Sequence, residues 1–166
     1  MNYNFRINLV EEYLKRVSLD EDIKSYYKDR TVLITGGAGA VGSNLLIALS
    51  LLVGEAGKVV VIDNLSSIKL KDTSNVMPMS NVMFVFGDIT SDEDLKRVFK
   101  EKPSIVFHLA AFFANQNSVD YPEKSAYVDV IGHAKLLEYS SLTGIDKFVY
   151  ASSGCAIYGS FPKMPL

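Results

Sequence analysis

Five short runs rich in β-branched and aromatic residues recur along the chain: "TVLIT" (31–35), "KVVVID" (58–63), "VMFVFGD" (82–88), "SIVFHLAA" (104–111) and "KFVYASS" (147–153). Each is bounded by Gly, Pro, Asp or Ser, and runs of this length and composition predict strands. They are apolar nearly throughout instead of alternating, the pattern of strands covered by helices on both faces of a parallel sheet. Between them, helical periodicity predicts helices over Val41 to Val53, Asp92 to Lys100 and Glu123 to Thr143. The last has apolar positions that include Ala126, Val130, Ala134, Leu137 and Tyr139. Regular β–α alternation implies right-handed crossovers, and so an α/β fold: a doubly wound parallel sheet with helices on both faces.

Residues 1–29 depart from this rhythm and read as a helical N-terminal extension to an α/β domain spanning 30–166. "NLVEEYLKRV" is amphipathic, and Ser18 with Glu21 has capping-box spacing for a second short helix reaching about Tyr27. The 166 residues, 48% of them hydrophobic, suffice for one core. A net charge of −2 gives no basic field, which argues against nucleic acid or anionic lipid as partner and for a small molecule. The single cysteine, Cys155, excludes an internal disulfide framework and a cysteine-built zinc site, and points to a reducing compartment. No stretch approaches the roughly 20 apolar residues of a membrane span, and the first residues lack a signal-peptide core. A soluble, cytoplasmic protein with no bound metal is expected.

The junction of the first strand with the first long helix, "TVLITGGAGAVGSNLL" (31–46), is rich in glycine. Gly36, Gly39 and Gly42 form GxxGxxG at a strand-to-helix turn, where missing β-carbons permit a tight turn and the approach of a pyrophosphate to the helix N-terminus. Such turns also occur for packing alone. Asp63 ends the next strand about twenty residues on, where a carboxylate binds both ribose hydroxyls of NAD and repels the 2′-phosphate of NADP. The alternative for Asp63 is a strand-end carboxylate capping a turn. Together, motif and acid indicate a Rossmann-type domain and NAD.

With these residues the chain resembles the extended short-chain dehydrogenase/reductases, and among them the NAD-dependent nucleotide-sugar epimerases and dehydratases. The resemblance rests on "TGGAGAVGSNL" (35–45), "VIDNLSS" (61–67), "GDI" (87–89), "HLAA" (108–111) and "YASS" (150–153), in family order and spacing. It implies that Gly36, Gly39, Gly42 and the backbone at Ala40 and Val41 hold the pyrophosphate. Asp63, Asn64, Ser66 and Ser67 would surround the adenosine ribose, and Asp88 and Ile89 would flank the adenine. Asp88 read alone could instead cap the helix of "TSDEDL". Leu109, Ala110 and Ala111 would line the floor near the nicotinamide ribose, with His108 a packed strand residue. Family catalysis resembles a proton relay through a YxxxK tyrosine and lysine, with a Ser or Thr at the end of the fifth strand binding the reacting hydroxyl. Counted along the strand, Ser153 takes that position, and Ser152 is its neighbour.

The chain departs from the family pattern in several places. No YxxxK follows Ser153 before Leu166, and Tyr158 has no lysine four residues on. The sequence thus reads as the N-terminal part of a longer protein, without the C-terminal substrate-binding region and inactive by itself. Asp129 stands where the family has Asn, adding charge near the nicotinamide or facing solvent. Cys155 is either an acid/base beyond the serine or a small packed residue. Gly154 and Cys155 occupy positions that are acidic in the dehydratase and decarboxylase branches, so the resemblance favours C4 oxidation of a UDP-sugar by NAD, rotation of the keto-sugar and hydride return, the UDP-glucose 4-epimerase type of chemistry. Dehydratase or decarboxylase chemistry and a non-catalytic dinucleotide-binding module remain the alternatives. The family also implies a homodimer built on a helix pair that includes the 123–143 segment.

Overall fold

The structure is a computed structural model and describes residues 3–67, 79–112 and 115–153. Its centre is a five-stranded sheet built from β1 (Thr31–Thr35), β2 (Lys58–Asp63), β3 (Val82–Phe86), β4 (Ile105–His108) and β5 (Lys147–Tyr150). The strands are all parallel and lie in the order β3-β2-β1-β4-β5. Val32 of β1 stands in register with Val59 of β2 on one side and Ile105 of β4 on the other. The chain order reverses between β1 and β4, so a crevice opens beyond the carboxyl ends of these strands.

The continuous apolar character of the strands has its cause in two separate cores. On one face Val32, Ile34, Val59, Val61 and Ile105 pack against Leu46, Ile47, Leu49 and Val53 of α3 (Ala40–Val53). On the other, Leu33, Val60, Ile62, Val85 and Val106 pack against Leu95, Val98 and Phe99 of α4 (Asp92–Phe99) and Leu136 of α7 (His133–Thr143). Each of these large side chains removed from water contributes about 1.5–3 kcal/mol.

Helices α1 (Tyr3–Val17) and α2 (Glu21–Tyr27) occupy the N-terminal segment. Ile7, Val10, Tyr26 and Tyr27 join the α3 core, and Arg6 donates to Ser43 Oγ at 3.0 Å and Asn44 Oδ1 at 3.3 Å. The expected Ser18–Glu21 capping box does not form. Ser18 has φ +46°, and Asp20 is the cap, its carboxylate accepting from Asp22 N at 3.0 Å. Asp is as good an N-cap as Ser and stands one position before the helix.

The expected helix over Glu123 to Thr143 is divided. After α5 (Asn115–Asp120), the chain forms α6 (Pro122–Ala126), a π-helical turn over Tyr127–Gly132, and then α7. The π-turn shifts the phase of the helix, and of the face expected to be apolar only Tyr139 packs against the core, stacked on Phe99. Ala126, Val130, Ala134 and Leu137 are exposed, whereas Gly132, Leu136 and Ser140 are buried. Three strands also stop short of their expected ends at Asp88, Ala111 and Ser153. After His108 the amide of Leu109 is shared between Thr35 O at 3.1 Å and Thr35 Oγ1 at 3.2 Å, and that of Ala110 turns to Oγ1, so the ladder gives way there to a side-chain acceptor. Among the described residues no helix is long and apolar enough to cross a membrane.

Candidate functional site

At the end of β1, Gly36 adopts φ +72°, a conformation that favours glycine. A β-carbon there would sit 2.7 Å from Ala110 N, so the turn and the chain leaving β4 pack backbone on backbone. Gly42 has the same requirement from the other side, because a β-carbon would run into Gly36 O. Two of the three glycines therefore let protein backbone close on itself. The third, Gly39, is the N-cap of α3 and offers no side chain to its first turn. The N-terminal amides of α3 face an open cleft at Ala40 and Val41, both exposed, and a helix start of this kind binds anions through its N–H groups and its dipole.

Asp63 lies next to this turn. Its Oδ2 accepts from Ala38 N at 2.9 Å and its Oδ1 from Leu65 N at 2.8 Å. A carboxylate has about four acceptor sites, so two remain for a ligand, and the carboxylate is held in place by the loop that would hold the ligand's phosphate. Asn64 follows and donates from Nδ2 to Asp88 Oδ2 at 2.7 Å, with its Oδ1 capping Ser66 N at 2.9 Å. Asp88 also accepts from Thr90 N and Thr90 Oγ1 at 2.9 and 2.8 Å. Burial works to raise its pKa, but these bonds together with the charge of Lys124 hold it below the usual carboxylate range. Asp88 does not cap the following helix. Ser91 is the N-cap of α4 and accepts from Asp94 N at 3.3 Å.

The cleft measures about 560 Å³. Gly36, Gly39, Ala40, Val41 and Gly42 line it together with Asp63, Asn64, Ser66, Ser67, Asp88, Ile89, Leu109, Ala110 and Ala111. The residues singled out as holding a dinucleotide thus converge on one concavity. Ser153 does not line it; it lies just beyond β5 and is exposed, as is Ser152. Gly154, Cys155 and Tyr158 lie outside the described residues. A second concavity of about 570 Å³ between α1, α2 and α3 is floored by Leu14, Leu51 and Leu52 and contains none of the candidates.

Several residues that shape the cleft were not anticipated. Thr35 accepts from Leu109 N and Ala110 N at 3.2 and 3.1 Å, so its own proton goes to Nδ1 of His108 at 2.7 Å. That leaves His108 as the Nε2–H tautomer. The His108 ring is buried and stacks on His133 with centroids 5.0 Å apart, and burial, then the neighbouring histidine, push its pKa down to about 4. It is a packed strand residue, as expected. Asp129 is neither solvated nor aimed into the cleft: its carboxylate accepts from Phe112 N at 2.7 Å and from Ser125 Oγ at 3.0 Å, tethering the segment after β4 to the π-turn. Phe112, Val128 and Lys124 complete the wall. Phe112 directly follows "HLAA" and could have been found by extending that motif, whereas nothing in "PEKSA" marks Lys124.

Known proteins are similar to this chain in sequence and fold. The UDP-glucose 4-epimerase of Mycolicibacterium smegmatis is 38% identical over 134 residues, which are 80% of this chain and 42% of that protein. Among solved structures, an epimerase of Methanothermobacter thermautotrophicus superposes with a TM-score of 0.78 at 51% identity, covering 87% of this chain and 41% of that one. A UDP-glucose 4-epimerase of Thermus thermophilus in complex with NAD gives 0.67 at 34% identity, covering 80% and 40%. The chain spans about two-fifths of the length of these relatives. The family model that matches residues 32–166, from the first strand onward, takes in the glycine turn, Asp63 and the rest of the cleft, and by that match the chain belongs to the NAD dependent epimerase/dehydratase family.

Proposed function

We propose that the cleft binds NAD, with the diphosphate at the start of α3, the adenosine ribose on Asp63 and its neighbours Asn64, Ser66 and Ser67, the adenine between Asp88 and Ile89, and the nicotinamide ribose over Leu109, Ala110 and Ala111. One observation carries this reading: Asp63 is hydrogen-bonded to Ala38 inside the glycine turn, so the group suited to a ribose and the N–H groups suited to a diphosphate are built as one unit. Bound there, NAD would accept and return a hydride. The protein's own residues would supply a carboxylate fixed for the ribose, an apolar floor of Leu109, Ala110 and Ala111, and an anion seat at the start of α3. Equilibrium titration of the chain with NAD and NADP tests the reading, with NAD favoured; binding of neither refutes it.

The reaction proposed for the whole protein is C4 epimerisation of a nucleotide sugar, with a UDP-sugar as substrate. The support is the resemblance to UDP-glucose 4-epimerases across the matched two-fifths. Ser153 is proposed to bind the sugar hydroxyl from its place beyond β5. Assay of the natural gene product with UDP-glucose and UDP-galactose distinguishes this from a dehydratase, which would release a 4-keto-6-deoxy sugar, and from a binding module, which would turn over neither. A cytoplasmic homodimer is proposed as its state. The exposed Tyr127, Val130, Ile131 and Leu137 on the π-turn and α7 form an apolar surface suited to a helix-paired interface.

A further inference from the structure

The ends of successive strands set out the cleft in order. The glycine turn follows β1, Asp63 ends β2, and Asp88 and Ile89 follow β3, so a dinucleotide with its diphosphate at the turn and its ribose on Asp63 presents its base at the β3 end. The helix crossing this end is placed by close packing. A β-carbon on Gly132 would meet Ile89 Cδ1 at 2.9 Å, and Val128 packs in the same cluster as Ile89. Lys124 stands one helical turn before Val128 and also lines the cleft. It is the only cation among the described lining residues. It makes no ion pair among the described residues; its Nζ lies 4.8 Å from the centre of the Phe112 ring.

Asp88 is short of donors by one. Thr90 N and Oγ1 fill Oδ1 and Asn64 fills one site of Oδ2, which leaves one acceptor site on a carboxylate fixed by three hydrogen bonds. A lone acceptor and an ammonium donor that line one cleft, close enough for the charge of one to act on the other, match an adenine edge, which presents an exocyclic N–H next to a ring-nitrogen acceptor. We propose that Lys124 donates to a ring nitrogen of the bound adenine, adding a second side chain to the base reading that the dinucleotide reading already gives to Asp88. Against the effect of burial, the hydrogen bonds from Thr90 and Asn64, with a last contribution from the charge of Lys124, hold Asp88 below the usual carboxylate range and so as an acceptor only. The proposal rests on the dinucleotide reading of the cleft.

The test is a cycle between protein and ligand. Binding of adenosine, and of the three deaza analogues in which one ring nitrogen is replaced by CH, is measured by ligand-observed NMR for the natural chain and for Lys124→Met, which keeps the apolar stem over Phe112. The expected result is a loss of about tenfold for adenosine in Lys124→Met, the same loss for one analogue in the natural chain, and no further loss when the two are combined. Lys124→Arg retains most of the affinity. If Lys124→Met weakens adenosine and all three analogues by the same factor, the lysine only supports the wall, and the proposal is overturned. It is equally overturned if ADP is weakened but adenosine is not, because the lysine then serves a phosphate. Failure of the natural chain to bind ADP or adenosine at all would count against the dinucleotide reading itself, a separate outcome.

Discussion

The hydroxyl of Thr35 donates to Nδ1 of His108 at 2.7 Å, while accepting from two amides of the chain that leaves β4. Protonating His108 would set a second donor against that hydroxyl and place a charge among buried rings. Its pKa in the folded chain is about 4, below the ordinary 6.5, so between those values the unfolded chain binds the proton and the folded chain does not. The contribution is complete above pH 6.5, falls as the pH drops towards 4, and amounts to roughly 3 kcal/mol across that window. Urea unfolding at a series of pH values should show this slope, and His108→Gln should flatten it.

Gly36→Ala is expected to lose about 2–4 kcal/mol, because it adds both a disfavoured φ and a collision with Ala110 backbone. Gly39→Ala should cost far less, since its β-carbon would meet only Gly36 O at 3.3 Å. Thermal or urea unfolding of the two variants separates the structural glycine from the one at the mouth of the cleft.

Replacing Asp63 by Ser should weaken NAD about tenfold or more and shrink the preference for NAD over NADP, because the carboxylate that would bind the ribose and repel a 2′-phosphate is gone. The same change leaves Ala38 N and Leu65 N without their acceptor and should cost about 1–2 kcal/mol of stability. Comparing both dinucleotides in one titration series shows whether selectivity changes along with stability.

Asp129→Ala removes the acceptor for Phe112 N and should destabilise the chain by about 1–3 kcal/mol and weaken nucleotide binding. Asp129→Asn is expected to stay within about 0.5 kcal/mol of the parent. Its amide oxygen still accepts from Phe112, and its NH₂ can donate to Ser125 Oγ with that hydroxyl turned about. A large loss in Asp129→Asn would show that the charge itself is needed.

Strand positions and the site around Asp63 were legible because each depends on local pattern. β-branched runs have one stable role when both faces are covered, and a carboxylate at the end of β2 is placed by register alone. Long-range effects were not legible. Thr35 looked like the last residue of an ordinary strand, and its reach to Leu109 and Ala110 depends on β4 lying beside β1. Asp129 read either as a charge near the nicotinamide or as solvated, because its partner Phe112 is seventeen positions away. The helix over Glu123 to Thr143 was expected at a period of 3.6, and no composition signal announces a wider turn at Tyr127–Gly132.

That wider turn has a structural consequence. An unbroken α-helix carries one phase along its length, so the residues that face a ligand at one end fix which residues face the sheet at the other. Widening the rod once, at Tyr127–Gly132, decouples these two demands: Lys124 and Val128 line the cleft, while Leu136 and Ser140 are buried, Leu136 in the core against the sheet. Deleting one residue in that turn would restore a single phase and force the chain to give up one of the two alignments.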